Sequence, residues 1–219
     1  QSGAGNVVRG VQGVGTSNTT PAQIVGNNNS VTVSQDGSGN TLSFGLKVGT
    51  GTSSTANTFS YSVTGNSATA VINSNNAGTG ASSGNSVTIN QSGNNANTNL
   101  NLLGNENTIG VTTSGGANNS YVSTVNGDSN SQTVSMTGGG ANSATLTQTG
   151  SNNILNLTSV GASNTYTVSQ TGTGHDAELS FNGSSNTATV SQSGSSAASN
   201  VNVTSVGSNN TFSITTNAH

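Results

Sequence analysis

The stretch from Asn142 to Gly194 decides the fold, because it repeats one short pattern five times. The five segments are NSATLTQTG (142–150), NILNLTSVG (153–161), NTYTVSQTG (164–172), HDAELSFNG (175–183) and NTATVSQSG (186–194). Each segment opens with Asn, or once with His175, and closes with Gly. The openers are eleven residues apart, so that two segments make a unit of 22 residues.

Apolar residues alternate with polar ones inside each segment. They lie two and four places after the opener, as Ala144 and Leu146 do in the first segment and Tyr166 and Val168 in the third. A period of two is typical of a β-strand, and Gly among polar residues marks a bend. The repeat therefore predicts an all-β fold, a β-solenoid in which each coil is strand, arc, strand and arc.

The same frame extends over residues 27–219, which we predict to be one solenoid domain. Sixteen half-turns give about eight coils, with loops inserted at residues 49–56 and 73–84, and one half-turn opens at Asn66. Residues 1–26 lack the frame and hold the only Pro and the only Arg, Pro21 and Arg9. They could be an export signal, a strand that docks on a neighbouring subunit, or a plain leader or cap on the first coil.

The composition excludes several classes of protein. Only 28% of the 219 residues are hydrophobic and 3% are charged, too little apolar material for the core of an ordinary globular domain. Disorder is the other interpretation, but the strict alternation argues against it. No apolar run is long enough to span a bilayer, so we expect no membrane insertion. No basic cluster is present that could bind the phosphates of a nucleic acid, so we expect no nucleic-acid binding. The start at Gln1 suits a mature secreted form or a trimmed chain.

Glutamine recurs six places after the opener, where alternation turns the side chain inward. A buried amide without a partner costs about 1–3 kcal/mol, and a column of amides that bond to one another avoids that cost. We expect the Asn openers to form similar columns at the bends, where Gly permits the turn. Surface glutamine is the alternative. The residues predicted for structural columns and self-assembly are Gln35, Gln91, Gln148, Gln170, Gln192, Asn29, Asn85, Asn142, Asn164, Asn186, Gly37, Gly93, Gly150, Gly172 and Gly194.

One cluster has catalytic-looking side chains: His175, Asp176 and Glu178. Metal binding is one interpretation, but the sequence places His175 and Asp176 at a bend, where a solvated position is more common. No phosphate loop or calcium repeat occurs. We therefore expect no enzyme activity, no metal and no cofactor.

The segments SVTVSQDGSGN (30–40) and TYTVSQTG (165–172) resemble the curlin repeat of bacterial curli fibres, over roughly residues 29–216. The resemblance implies a secreted functional amyloid, exported through an outer-membrane pore and assembled on a nucleator subunit at the cell surface. The chain departs from the family pattern because Gln occupies only alternate half-turns. With half-turns numbered from the opener Asn29, Gln35 and Gln91 fall in odd half-turns and the other three glutamines in even ones. Either one arc is misread, or the glutamine column moves to the other face of the solenoid.

The last segment, NTFSITTN (210–217), carries no charged side chain. A solenoid edge without charge or Pro can pair with the next subunit, and a head-to-tail contact of that kind grows a filament. We therefore expect a self-polymerising fibre subunit for biofilm matrix, adhesion or surface attachment. The alternatives are a monomeric ice-binding or ligand-binding solenoid, favoured by outward Thr rows such as Thr145 and Thr167, and a stalk segment of a larger adhesin.

Overall fold

Two parallel β-sheets face each other along the whole described chain. The computed structural model describes residues 7–12, 22–25, 29–47, 57–75, 83–195 and 198–218, and within these it contains eighteen strands and no helix. The strands are β1 (Val7–Gln12), β2 (Ala22–Val25), β3 (Ser30–Asp36), β4 (Thr41–Lys47), β5 (Thr58–Thr64), β6 (Thr69–Asn75), β7 (Ser86–Ser92), β8 (Asn97–Leu103), β9 (Thr108–Thr113), β10 (Ser120–Asn126), β11 (Ser131–Thr137), β12 (Ser143–Ser151), β13 (Ile154–Val160), β14 (Thr165–Thr173), β15 (Asp176–Asn182), β16 (Thr187–Gly194), β17 (Asn200–Val206) and β18 (Thr211–Asn217).

Odd-numbered and even-numbered strands separate into different sheets. One sheet runs from β1 to β17 and the other from β2 to β18, each strand pairing in parallel with the strand one coil before and after it. The chain therefore crosses to the opposite sheet at every arc. The prediction of an all-β solenoid is confirmed.

The register stacks equivalent residues of successive repeats. On β12, β14 and β16, Leu146 lies beside Val168 and Val168 beside Val190. Parallel pairing without slippage keeps each inward residue above another inward residue, since a shift of one residue would turn the whole set outward. The 22-residue spacing of the sequence thus becomes the vertical repeat of the molecule.

The core is a narrow apolar layer between the two sheets. Strands such as β7 and β13 alternate strictly between exposed and buried residues, with three inward side chains each. Burying a Val, Leu or Phe side chain stabilises the fold by about 1.5–3 kcal/mol, which for one coil does not offset the ordering of about 22 residues. Stacking is therefore what makes the fold stable, because it shields both sides of every inner coil.

Each arc closes at a glycine in the left-handed region, and Gly172 shows why. Its φ is 131°, and a Cβ built there would overlap the carbonyl oxygen of Gly194 in the next coil. Neighbouring arcs come too close for any side chain at this position. The predicted arc glycines Gly37, Gly93, Gly150 and Gly194 likewise have φ between 108° and 136°.

The predicted count of eight coils is not confirmed. Each sheet has nine strands within the described residues, because β1 and β2 come from the segment before residue 27, which lacks the Asn-to-Gly frame. The boundary between residues 1–26 and 27–219 stays a prediction.

Two details of the predicted frame are wrong. Asn66 does not open a strand but lies in an arc, and the buried residue at the opener position is Ala68. The predicted insertion at 49–56 lies outside the described residues. Of the insertion at 73–84, the first three residues belong to β6 and residues 76–82 lie outside the described part.

Candidate functional site

A column of asparagines runs along the arcs that lead into the odd-numbered strands. Asn57 Nδ2 donates to Asn29 Oδ1 at 2.9 Å, Asn85 Nδ2 donates to Asn57 Oδ1 at 3.1 Å, and Asn107 continues the series onto Asn85 at 3.1 Å. Asn130 and Asn153 extend it by two more coils, at 3.2 and 3.1 Å. All these side chains are buried. The column also contains four openers that were not among the residues named for it from the sequence: Asn57, Asn107, Asn130 and Asn153.

Asparagines of this column also bind the backbone of the following coil. Asn107 Nδ2 donates to the carbonyl oxygen of Gly127 at 2.8 Å, and Asn107 Oδ1 accepts the backbone N–H of Asn130 at 2.9 Å. One side-chain amide therefore satisfies two backbone groups in the arc of the next coil. This is why the opener and the closing glycine recur together in the sequence.

A second column lies on the arcs that lead into the even-numbered strands. Asn142 Nδ2 donates to Asn119 Oδ1 at 3.2 Å, and the backbone N–H of Asn164 donates to Asn142 Oδ1 at 3.0 Å. Asn186 and Asn210 follow in the same way, at 2.9 and 3.0 Å. The predicted openers Asn142, Asn164 and Asn186 are thus brought together here, while Asn29 and Asn85 belong to the first column.

Three of the five predicted glutamines form a buried column. Gln148 Nε2 donates to Gln170 Oε1 at 2.8 Å, and Gln170 Nε2 donates to Gln192 Oε1 at 2.9 Å. Each amide also reaches across to the opposite sheet, as Gln170 Nε2 does to the carbonyl oxygen of Ile154 at 2.7 Å. The column begins at Gln148, which lies above Val125, and ends at Gln192, which lies below Thr216.

Gln35 and Gln91 are buried in the other sheet and do not belong to this column. Val63 lies between them in the register of β3, β5 and β7. Gln91 instead joins the two sheets, because it accepts the Tyr61 hydroxyl at 2.8 Å and donates to Thr98 Oγ1 at 2.7 Å. The change of face noted in the sequence is real and is not caused by a misread arc.

A further buried glutamine, Gln132, escaped the sequence analysis. Its Oε1 accepts the hydroxyls of Tyr121 and Ser123, both at 2.8 Å. Gln132 lies two places after the opener Asn130, where the other repeats have an apolar residue except β8, which has Thr98. The alternation of β11 predicts an inward side chain there, and that signal could have found it.

Buried tyrosines link the sheets through the core. The Tyr166 hydroxyl donates to Ser159 Oγ at 2.8 Å, and burial raises the pKa of Tyr166 to about 12 although that hydrogen bond acts in the opposite direction. Burial raises the pKa of Tyr61 and Tyr121 still further above the ordinary value of 10.0. A phenolate has no place in this core, because the apolar layer cannot solvate the charge.

His175 takes the place of asparagine in the first column. We expected it at a solvated bend, but that is wrong: its side chain is completely buried. Its backbone N–H donates to Asn153 Oδ1 at 3.0 Å, as an asparagine would. Its ring lies 3.0 Å from the carbonyl oxygen of Gly194 and 2.9 Å from Ser199 Oγ. The histidine thus occupies the position of an asparagine in the column, with an imidazole ring in place of the side-chain amide.

The neighbouring carboxylates face away from that ring. Asp176 and Glu178 are outward residues of β15, and Glu178 Oε2 accepts Asn202 Nδ2 at 3.0 Å on the surface. In the part of the chain that is described, no three His, Cys, Asp or Glu side chains are grouped so that they could hold a metal ion. Alternation along the strand is what separates His175 from the carboxylates.

The C-terminal end of the solenoid is open. Among the described residues β18 pairs only with β16 and β17 only with β15. The inward residues Phe212 and Ile214 are therefore only partly buried, while the equivalent residues of β16 are covered. Phe212 packs on Phe181 of the opposite sheet, with ring centroids 5.7 Å apart. Within the described residues the core thus extends to the last coil, where it is only partly covered.

The comparison with known families agrees with this geometry. The family model of the curlin associated repeat matches residues 161–194, a span that holds β14, β15 and β16 with their arcs. Residues 161–194 therefore carry a curlin repeat, and the resemblance stated from the sequence is confirmed over this span. No curated protein and no solved structure matches the chain. No helix among the described residues is long and apolar enough to cross a membrane.

Proposed function

We propose that this protein is an extracellular structural subunit that polymerises head-to-tail into an amyloid-like fibre at the bacterial cell surface, for biofilm matrix, adhesion or attachment. The observation that carries the proposal is the open end formed by β17 and β18. Among the residues that the structure describes, both sheets end there with an edge that pairs with no further strand, above a core that is only half covered. Curlin repeats, which the chain carries at residues 161–194, support the same class of function.

A second copy of this chain fits that end. Its β1 would continue the sheet that ends at β17, and its β2 would continue the sheet that ends at β18, in the parallel sense of every other strand pair. Neither β17 nor β18 carries a charged residue that would oppose the approach. The contact is heterologous and does not close, so it propagates as a filament. A nucleator subunit and an outer-membrane secretion pore complete the set of proposed partners.

The direction of the amides in β18 shows which residues would meet the second copy. The carbonyl oxygen of Asn210 accepts Thr187 N–H, and Ala218 N–H donates to Ser193 O, both at 2.8 Å. Successive peptides of an extended strand face opposite sides, so the even-numbered amides of β18 face β16 and the odd-numbered ones face the open edge. Ser213 therefore offers a free N–H at the centre of that edge.

The test is a proline at this position. Ser213→Pro removes one outward N–H and leaves the bonds between β16 and β18 in place, because proline is tolerated where its missing N–H faces solvent. We expect the variant to fold as the wild type does by circular dichroism but not to elongate preformed seeds. Ser213→Ala keeps the N–H and should elongate normally. If Ser213→Pro elongated seeds as fast as the wild type, the C-terminal edge would not be the surface at which the filament grows.

A second candidate, a monomeric ice-binding or ligand-binding solenoid, is favoured by one surface. The outward residues of β12, β14, β16 and β18 before the closing arc are all Ser or Thr, except Asn217. The charged Glu178 lies on the other sheet. Thermal hysteresis by a stable monomer that forms no filaments would favour this candidate over the fibre.

A further inference from the structure

One coil junction of the solenoid depends on a histidine. His175 lies in the arc before β15, between Asn153 of the preceding coil and Ser199, which leads into β17 of the last pair of strands. At this level the first asparagine column ends, because the next residue of the column is Ser199. The imidazole is therefore the side chain that joins the last coil to the rest of this column.

The hydrogen-bond partners of the ring allow one protonation state. Nε2 lies 3.1 Å from the carbonyl oxygen of Thr171 and 3.0 Å from that of Gly194, and carbonyl oxygens only accept, so Nε2 carries a proton. Nδ1 accepts the backbone N–H of Ser199 at 3.3 Å, and an N–H only donates, so Nδ1 carries none. The Ser199 hydroxyl, 2.9 Å from Nδ1, completes the same contact as a donor. His175 is thus held as the neutral imidazole.

A second proton on the ring would break this junction. It would place two N–H groups against each other at Nδ1 and Ser199, and it would put a positive charge on a side chain with no exposed surface. The residues that contact the ring from β14, β16 and β17 are Thr171, Gly194 and Ser199, and none of them is ionisable. The nearby carboxylates, Asp176 and Glu178, are both on the outward face of β15.

We propose that His175 is an acid-sensitive latch that holds the last coil, β17 and β18, on the solenoid. The imidazole takes up its second proton more readily once the coil opens, so mild acid favours the state in which Ser199 is released and loosens the open C-terminal end. Growth of the fibre through that end then slows in acid and recovers at neutral pH. The effect on growth rests on the proposed function, whereas the loosening of the coil does not.

The substitution His175→Asn separates the latch from other effects of acid. Asn is the residue that the repeat itself has at this position, and its amide can donate to Gly194 O and accept from Ser199 N–H without titrating. Hydrogen exchange of β17 and β18, corrected for the intrinsic rate, is measured at about pH 7.5 and about pH 5 for both proteins, with β11 and β12 as the internal reference.

We expect the wild type to lose protection in β17 and β18 at the lower pH by about tenfold or more, because the buried contact between the ring and Ser199 is lost. His175→Asn should keep its protection, and β11 and β12 should not change in either protein. Equal pH dependence in both proteins, or none in the wild type, would overturn the latch. Seeded growth at both pH values is measured in parallel; if no filaments form at any pH, the proposed function fails while the exchange experiment still decides the latch.

Discussion

Gln170 shows at the level of one residue how a polar side chain can be both buried and stabilising. Its amide accepts from Gln148 and donates to Gln192, to Ile154 O and to His175 O, so that both of its polar atoms have partners. The alternation of inward and outward residues was enough to predict this buried column from the sequence, because Gln148, Gln170 and Gln192 recur at one inward position. The sequence also placed Gln35 and Gln91 in odd half-turns, apart from the other three, but it could not exclude a misread arc, since only the sheet that each strand joins decides between the two interpretations.

Replacing Gln170 with lysine should therefore destabilise the fold strongly. The variant Gln170→Lys buries a charge in a core that, among the described residues, holds no carboxylate, and it removes the oxygen that accepts Gln148 Nε2, so we expect a loss of about 3 kcal/mol or more in the free energy of unfolding. Thr171→Lys is the matched control, because the next side chain along β14 is exposed, and it should change stability by less than about 0.5 kcal/mol. Denaturant unfolding of both variants checks this, and equal stability would contradict the buried amide column.

At the level of strands and arcs, the success of the sequence analysis follows the regularity of the repeat. The strands between Asn142 and Gly194 lie where the openers place them, because strand period and spacing agree there. The predictions from the repeat are wrong where the residue that opens a segment is not asparagine. Ala68 takes the place of asparagine before β6, and the arc residue Asn66 was mistaken for the opener. His175 was expected in solvent because the sequence places it at a bend, whereas its position in the column required burial.

The arcs themselves allow a second prediction, on Gly172. Alanine there would need φ near 131° and would overlap the carbonyl oxygen of Gly194, with His175 Nε2 only 2.7 Å from the new Cβ. We expect Gly172→Ala to cost on the order of 3 kcal/mol, since backbone strain and overpacking each cost about 1–3 kcal/mol. Gly110 on β9 is the control, because no atom lies within 4 Å of a Cβ built there.

Gly110→Ala should be neutral or slightly stabilising, since glycine inside a strand is about 0.5–1 kcal/mol worse than alanine. Thermal unfolding of the two variants measures the difference. Equal melting temperatures would mean that the arcs can move apart, and the close contact between them would then not be what restricts the position to glycine.

For the whole molecule, the two sheets are held together by apolar contacts and by a few polar links through the core, two of which involve tyrosine. Tyr121 reaches Gln132 and Tyr166 reaches Ser159 on the opposite sheet, whereas Tyr61 reaches Gln91 on the neighbouring strand of its own sheet. In all three, burial raises the pKa of the phenol above its ordinary value of 10.0. The folded chain therefore keeps these protons at a pH where the unfolded chain loses them. As a result, the free energy of unfolding decreases as the solution becomes alkaline.

The sign of that dependence follows from proton linkage. The stability that these phenols contribute is fully present below about pH 10, and it is lost as the pH rises toward the folded pKa, which for Tyr166 is about 12. Each tyrosine lowers the free energy of unfolding by about 1.4 kcal/mol per pH unit in that window, so the protein should unfold in alkali well before the backbone is damaged. Tyr166→Phe removes one of the three contributions. Its unfolding free energy should fall less steeply between about pH 10 and 12 than that of the wild type, after a constant loss of about 0.5–1.5 kcal/mol for the missing hydrogen bond to Ser159. Parallel denaturant titrations at several pH values give both slopes, and identical slopes would mean that Tyr166 ionises as freely in the folded chain as in water.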